Sequence, residues 1–217
     1  MRRLLWTLFI IGLATVAAGL WLTAPKRLPE NAFADLTGSA EAGEQVFWAA
    51  GCASCHSAPE AKDEAKLVLT GGQRFPSDFG TFLAPNISPD PDAGIGNWSL
   101  QDFANAVTRG VSPDGKHYYP AFPYTAYGLM KPQDLVDLWA FWQTLPADPT
   151  PSASHEVGFP FNIRRSLGGW KLLFGEPQWT ASDSDDETLL RGRYLAEALG
   201  HCAECHTPRN ALGAVSY

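Results

Sequence analysis

The sequence predicts an all-α protein on three observations: apolar residues recur at helical spacing in several segments, helix-start signals precede those segments, and no stretch alternates as a strand does. At 217 residues the chain has room for one large or two small domains. A hydrophobic share of 45% supports a packed core and excludes disorder. The formal net charge of −7 argues against nucleic acid as a partner and suits a soluble surface or a basic docking partner.

The first element is the uncharged run Leu4–Leu22, preceded by Arg2 and Arg3 and followed by Lys26 and Arg27. It exceeds the apolar stretch of a cleavable signal, about 7–15 residues, and can cross a hydrocarbon core of roughly 30 Å. Trp6 and Trp21 fall near its ends, where interfacial aromatics belong. Residues 1–24 are therefore expected to form an uncleaved transmembrane helix, while Ala17 and Ala18 keep a cleaved signal as the alternative. The basic start stays inside, which places the rest of the chain across the membrane.

Residues 42–51, AGEQVFWAAG, and 191–200, RGRYLAEALG, read as two related amphipathic helices. Between them Ser99 and Asp102 have capping-box spacing, ahead of Leu100, Phe103 and Val107 on one face and a stop at Gly110. Pro132 suits a first helical turn and precedes Leu135, Leu138, Trp139 and Trp142. From Gly71 to Gly96 the residues Gly, Pro, Asn and Asp dominate, with Pro85-Asn86 and Asp90-Pro91-Asp92 among them, so loops are expected, wrapped around something. Residues 147–184 form a Pro/Gly-rich connector. Phe159, Phe161, Trp170, Leu172, Leu173, Phe174 and Trp179 make it too apolar for a free linker, so it is expected to pack on its neighbours.

Both amphipathic segments run into the same motif. All four cysteines lie in Cys52-Ala-Ser-Cys55-His56 and Cys202-Ala-Glu-Cys205-His206, 150 residues apart. Gly43 precedes its cysteine by nine residues and Gly192 by ten, so the repeat has diverged. On a helical turn, positions three and four apart are neighbours, which brings two sulfurs and an imidazole to one side. This pattern marks covalent attachment of haem c, with thioethers from the cysteines and iron bound by the histidine. The rivals are a disulfide, common in exported proteins, and a zinc ribbon, whose halves normally lie about 15–20 residues apart. The wide gap and the repeated histidine favour haem.

Besides Met1 the chain has one methionine, Met130, after the loop PAFPYTAYGLM and just before the Pro132 helix. Methionine is often a core filler. Beside an iron that needs a soft sixth ligand, a thioether opposite histidine raises the reduction potential, and Met130 is the candidate.

The run from Pro85 to Met130, with GCASCH before it and LGHCAECHTPRNALG after it, resembles the multi-haem cytochrome c subunits of periplasmic membrane-bound dehydrogenases acting on alcohols, sugars and gluconate. The resemblance covers essentially the whole chain after the anchor. It implies a cytochrome c-like domain at 25–146, the connector, and the start of a second such domain at 185–217. It assigns Cys52, Cys55, His56 and Met130 to a first haem and Cys202, Cys205 and His206 to a second. It further implies an electron carrier, itself not an enzyme, on the periplasmic side of the bacterial inner membrane, or soluble in the periplasm if the leader is cleaved. Its partners would be a dehydrogenase subunit as donor and a quinone, oxidase or cytochrome as acceptor. Members of this family carry two or three complete haem domains. This chain stops 11 residues after His206, so it is expected to be an incomplete version.

The rival function is a di-haem enzyme, such as a peroxidase, with one open iron. A methionine-bound first iron has no free position, and no acid/base set is legible around His206. Of the remaining residues, His117 reads as a surface histidine and His155 as a connector residue, while His201 reads as a structural or propionate contact. Asp183 to Glu187 reads as an acidic helix start. Arg164 and Arg165 face haem propionates or solvent, and the tryptophans read as core. Protein made in a host with haem-attachment machinery should keep its colour through denaturation and acid–organic extraction; a colourless polypeptide would remove the haem reading.

Overall fold

The computed structural model describes residues 1–216. Helix α1 (Arg2–Leu22) is long and apolar enough to cross a membrane, and none of its side chains is buried by the rest of the protein.

The core forms where α2 (Ala40–Ala49) crosses α6 (Pro132–Trp142), with α3 (Cys52–His56), α4 (Leu100–Arg109) and α5 (Tyr124–Tyr127) around them. Ser39 starts α2 by accepting the Ala42 N–H, and the expected capping box of Ser99 and Asp102 starts α4. At the crossing a Cβ on Gly43 would lie 1.9 Å from the Asp137 carbonyl oxygen and 2.9 Å from Phe141 Cβ, so only glycine lets the backbones approach this closely. Around it Phe47 packs against Phe141 at 5.2 Å and Trp142 at 5.9 Å, and Phe103 lies 5.3 Å from Trp142. Phe47 is fully buried; burial of such a side chain contributes about 1.5–3 kcal/mol.

The Gly71–Gly96 region, expected as loops, contains a small antiparallel hairpin of β1 (Arg74–Ser77) and β2 (Gly80–Leu83), in the register Arg74 to Leu83. Its strands are too short to show alternation in sequence, and Glu156 of the connector bridges to Thr81 alongside. The loop beyond is tied to α6 by the Trp142 indole N–H, which donates to the Ile87 carbonyl at 2.7 Å.

The connector carries helix α7 (Leu167–Phe174), and its expected packing holds only in part: Gly168 is buried, yet Phe159 and Leu173 are 81% and 71% exposed. Helix α8 (Glu187–Arg193) starts at Asp186, whose carboxylate accepts the Thr188 and Leu189 N–H groups, as the acidic stretch suggested. It runs into a π turn at Tyr194–Leu199 and then α9 (Ala203–His206). Tyr194, Ala198 and Leu199 join the same apolar core as α2 and α6.

The surface reading of His117 is corrected. The side chain is only 3% exposed, because the end of α1 and the connector fold over it: its Nε2 lies 3.0 Å from the Thr23 carbonyl, and Arg164 donates to the His117 carbonyl. His155 Nδ1 accepts the Leu83 N–H at 3.1 Å, and both connector arginines are engaged with backbone carbonyls.

Gly192 is the counterpart of Gly43, and nothing lies within 4 Å of a Cβ added to it. Gly43→Ala should therefore cost about 1–3 kcal/mol or more through overpacking. Gly192→Ala should be neutral or stabilising by up to about 1 kcal/mol through helix propensity. Thermal unfolding of the two variants decides this; equal losses would mean that the crossing does not set the core.

Candidate haem-binding site

The first motif begins where α2 ends. Gly51, at φ 67°, turns the chain so that α3 starts at the first cysteine, and Cys52 and Cys55 then share one face of a single turn with His56 beside them. No disulfide joins any of the four cysteines. His56 Nδ1 lies 3.0 Å from the Pro85 carbonyl. A carbonyl can only accept, so the proton belongs on Nδ1 and the Nε2 lone pair is left for a metal.

That carbonyl is itself fixed. Asn86, 3% exposed, donates its amide to the Asp148 and Thr150 carbonyls, both at 2.8 Å, and its N–H to the Ser152 hydroxyl at 2.9 Å. The sequence marks Pro85-Asn86 only as a loop; the positioning role of Asn86 depends on connector residues more than sixty positions away.

Burial, partly opposed by the Pro85 contact, holds His56 below the ordinary imidazole range, which favours the neutral, ligating form. Burial also pushes the Cys52 thiol up to about 12, with Cys55 adding to it. Cys55 is raised by burial and then by the nearby Cys205. Among the described residues no group of three or more His, Cys, Asp and Glu side chains is placed to hold a metal ion.

Met130 is 6% exposed and lies in the core against which Cys52 packs. Its turn is held from both sides by tyrosines. The Tyr127 hydroxyl donates to the Ala50 carbonyl at 2.6 Å, just before the first motif. The Tyr194 hydroxyl accepts the Lys131 N–H at 3.1 Å and donates to the Asp134 carboxylate. The sequence offered no signal for Tyr194, which reaches this turn from the second copy of the repeat. Cys52 packs on the core that buries the Met130 thioether, and Cys55 and an imidazole with a free Nε2 share its helical turn, a donor set that fits haem c.

The second motif is built differently. The position of Gly51 is taken by His201, at φ 40°, a left-handed conformation uncommon outside glycine. The Gly200 N–H bonds to the Leu195 carbonyl at 2.7 Å, five residues back, and such a turn takes one residue more than an α turn. The ten-residue spacing from Gly192 is accommodated this way. The His201 ring stands edge-on to Tyr127 at 5.4 Å, and Glu204 accepts from Arg209 at 2.6 Å and from the Thr125 hydroxyl at 3.4 Å. Cys202, Cys205 and His206 are exposed. Beside them lies a cavity of about 390 Å³ between Leu129, Trp170, Phe174, His201 and Ala203.

Residues 40–146 match the family described as Cytochrome c. Over 213 residues the chain is 55% identical to a protein of Cereibacter sphaeroides named diheme cytochrome c-type, a match covering 98% of this chain and 72% of that protein. It is 39% identical over 175 residues to the fructose dehydrogenase cytochrome subunit of Gluconobacter japonicus, covering 78% of this chain and 35% of that one. To the alcohol dehydrogenase (quinone) cytochrome c subunit of Gluconobacter oxydans it is 34% identical over 170 residues, covering 77% and 34%. The chain therefore spans about a third of the length of these two dehydrogenase subunits. With paired thiols and an imidazole on one turn, Cys52 packed on the core that buries the Met130 thioether, and these relatives beside it, the chain belongs to the cytochrome c family, an electron-transfer protein of haem c and not itself an enzyme.

Proposed function

We propose that this chain is a membrane-held di-haem cytochrome that takes electrons from a quinone-linked dehydrogenase on the periplasmic side of the bacterial inner membrane and passes them toward a quinone, oxidase or cytochrome acceptor. The observation that carries the reading is the single core shared by the His56 motif and Met130, with Nδ1 of His56 committed to Pro85. In this arrangement residues 25–146 form one haem domain, 147–184 a connector, and 185–217 the beginning of a second.

Cys52 and Cys55 would hold the first haem by thioether bonds, with His56 and Met130 on its iron, and Cys202, Cys205 and His206 would hold the second. Bound there, haem c supplies a one-electron couple. With Met130 on the iron, its thioether would raise the potential of that couple, and buried Phe47, Leu69 and Trp142 keep water from the core. The sixth position of the first iron would then be filled, as suits a carrier better than a peroxidase. The names of the fructose and alcohol dehydrogenase subunits support the class of donor, and α1, free of core contacts, supports the anchor.

Met130→Ala should lower the reduction potential of the first haem and open its iron to carbon monoxide, and Met130→His should restore six-coordination at a low potential. An unchanged potential in Met130→Ala would reject the assignment. Tyr194→Phe should leave the colour intact but speed hydrogen exchange at the Lys131 amide roughly tenfold, the scale of losing one buried hydrogen-bond partner. Unchanged exchange there would mean that the second copy does not brace the Met130 turn.

A further inference from the structure

The outer end of α1 is not a free tether. The uncharged run Leu4–Leu22 spans about 28 Å as a helix, close to the thickness of a hydrocarbon core, so its last turn marks the outer membrane boundary. Three parts of the protein touch that turn directly. The Arg165 guanidinium donates to the Leu20 and Thr23 carbonyls, where a cation also complements the helix dipole. His117 Nε2 lies 3.0 Å from the Thr23 carbonyl, and a Cβ on Gly168 would lie 2.2 Å from the same oxygen. Arg27, four residues beyond Thr23, donates to the Ser112 carbonyl at 2.9 Å and to the Pro113 carbonyl. The connector helix and the 111–117 turn therefore sit at headgroup depth wherever α1 spans a bilayer.

The surface they present has the composition of an interfacial element. Gly168 packs under the end of α1, while Arg165 and Leu172 to either side of it along the connector segment stay exposed. Leu172 is 50% exposed and the nearby Ile163 47%. Lys26 and Arg165 are exposed, and among the described residues neither forms an ion pair with a carboxylate; Arg27 reaches Asp102 only at 3.8 Å. Positive charge without counter-charge, mixed with exposed aliphatic side chains, is what binds an acidic bilayer surface.

We propose that the surface formed by Ile163, Arg165 and Leu172 lies on the outer leaflet, its aliphatic side chains in the interface and Arg165 on the phosphate of an acidic phospholipid. The proposal rests on the reading of α1 as a retained span. It makes the connector a second membrane contact, which holds the first haem domain in a fixed attitude to the bilayer instead of letting it swing on Pro25 and Lys26.

The test uses the full haem-loaded chain in nanodiscs of phosphatidylcholine with or without phosphatidylglycerol. Leu172→Cys, Ile163→Cys and the exposed control Asp92→Cys are each treated with a charged, water-soluble maleimide, and the label is located by peptide mass. In discs with phosphatidylglycerol the two connector cysteines should react about tenfold more slowly than the control, and Arg165→Gln should remove roughly fivefold of that protection, the size of one cation–lipid contact. Chain retained in the discs with connector cysteines as reactive as Asp92→Cys overturns the docked face and leaves the span intact. Chain that does not stay with the discs overturns both. Equal protection in pure phosphatidylcholine overturns the acidic-headgroup assignment.

Discussion

The approach of α2 to α6 at Gly43 is the contact on which the rest depends. Helix α2 delivers the chain into Gly51 and Cys52, and α6 starts two residues after Met130. The separation of these helices therefore sets how far the motif and the thioether stand apart. A side chain at position 43 would meet backbone at 1.9 Å and push the helices apart. The aromatic packing of Phe47, Phe141, Trp142 and Phe103 then makes that separation rigid, because a close-packed interior does not deform smoothly.

A second constraint fixes the imidazole. His56 is oriented by the Pro85 carbonyl, that carbonyl by Asn86, and Asn86 by the first residues of the connector. A ligand on a five-residue helix is thus held by two segments distant in sequence, the 85–86 loop and the start of the connector. Outer contacts of this kind fix the tautomer and orientation of a ligating ring and raise its basicity. The connector, which composition presents as a spacer, is in this respect part of the site.

The two copies of the repeat share local rules and differ in surroundings. Gly43 is enclosed where Gly192 is open, Gly51 becomes His201, and a π turn takes up the extra residue. The second copy also serves the first: Tyr194 braces the Met130 turn, and Cys205 comes near enough to Cys55 to raise its pKa.

The sequence by itself determined the helical class, the two cysteine motifs, the apolar leader, the capping box at Ser99 and the helix after Pro132. These features are local: helical periodicity, cap chemistry and a motif confined to one turn act over a few residues and are written within a few residues. Met130 was legible by composition, since the chain has no other internal methionine. The tertiary structure decided the burial of His117 under the end of α1, the hairpin at Arg74–Leu83 with Glu156 beside it, the clamp of Asn86 on Pro85, and the reach of Tyr194 to Lys131. Each of these joins residues separated by tens of positions, and a hydrogen bond or a buried contact between distant segments leaves no periodic trace in the chain that makes it.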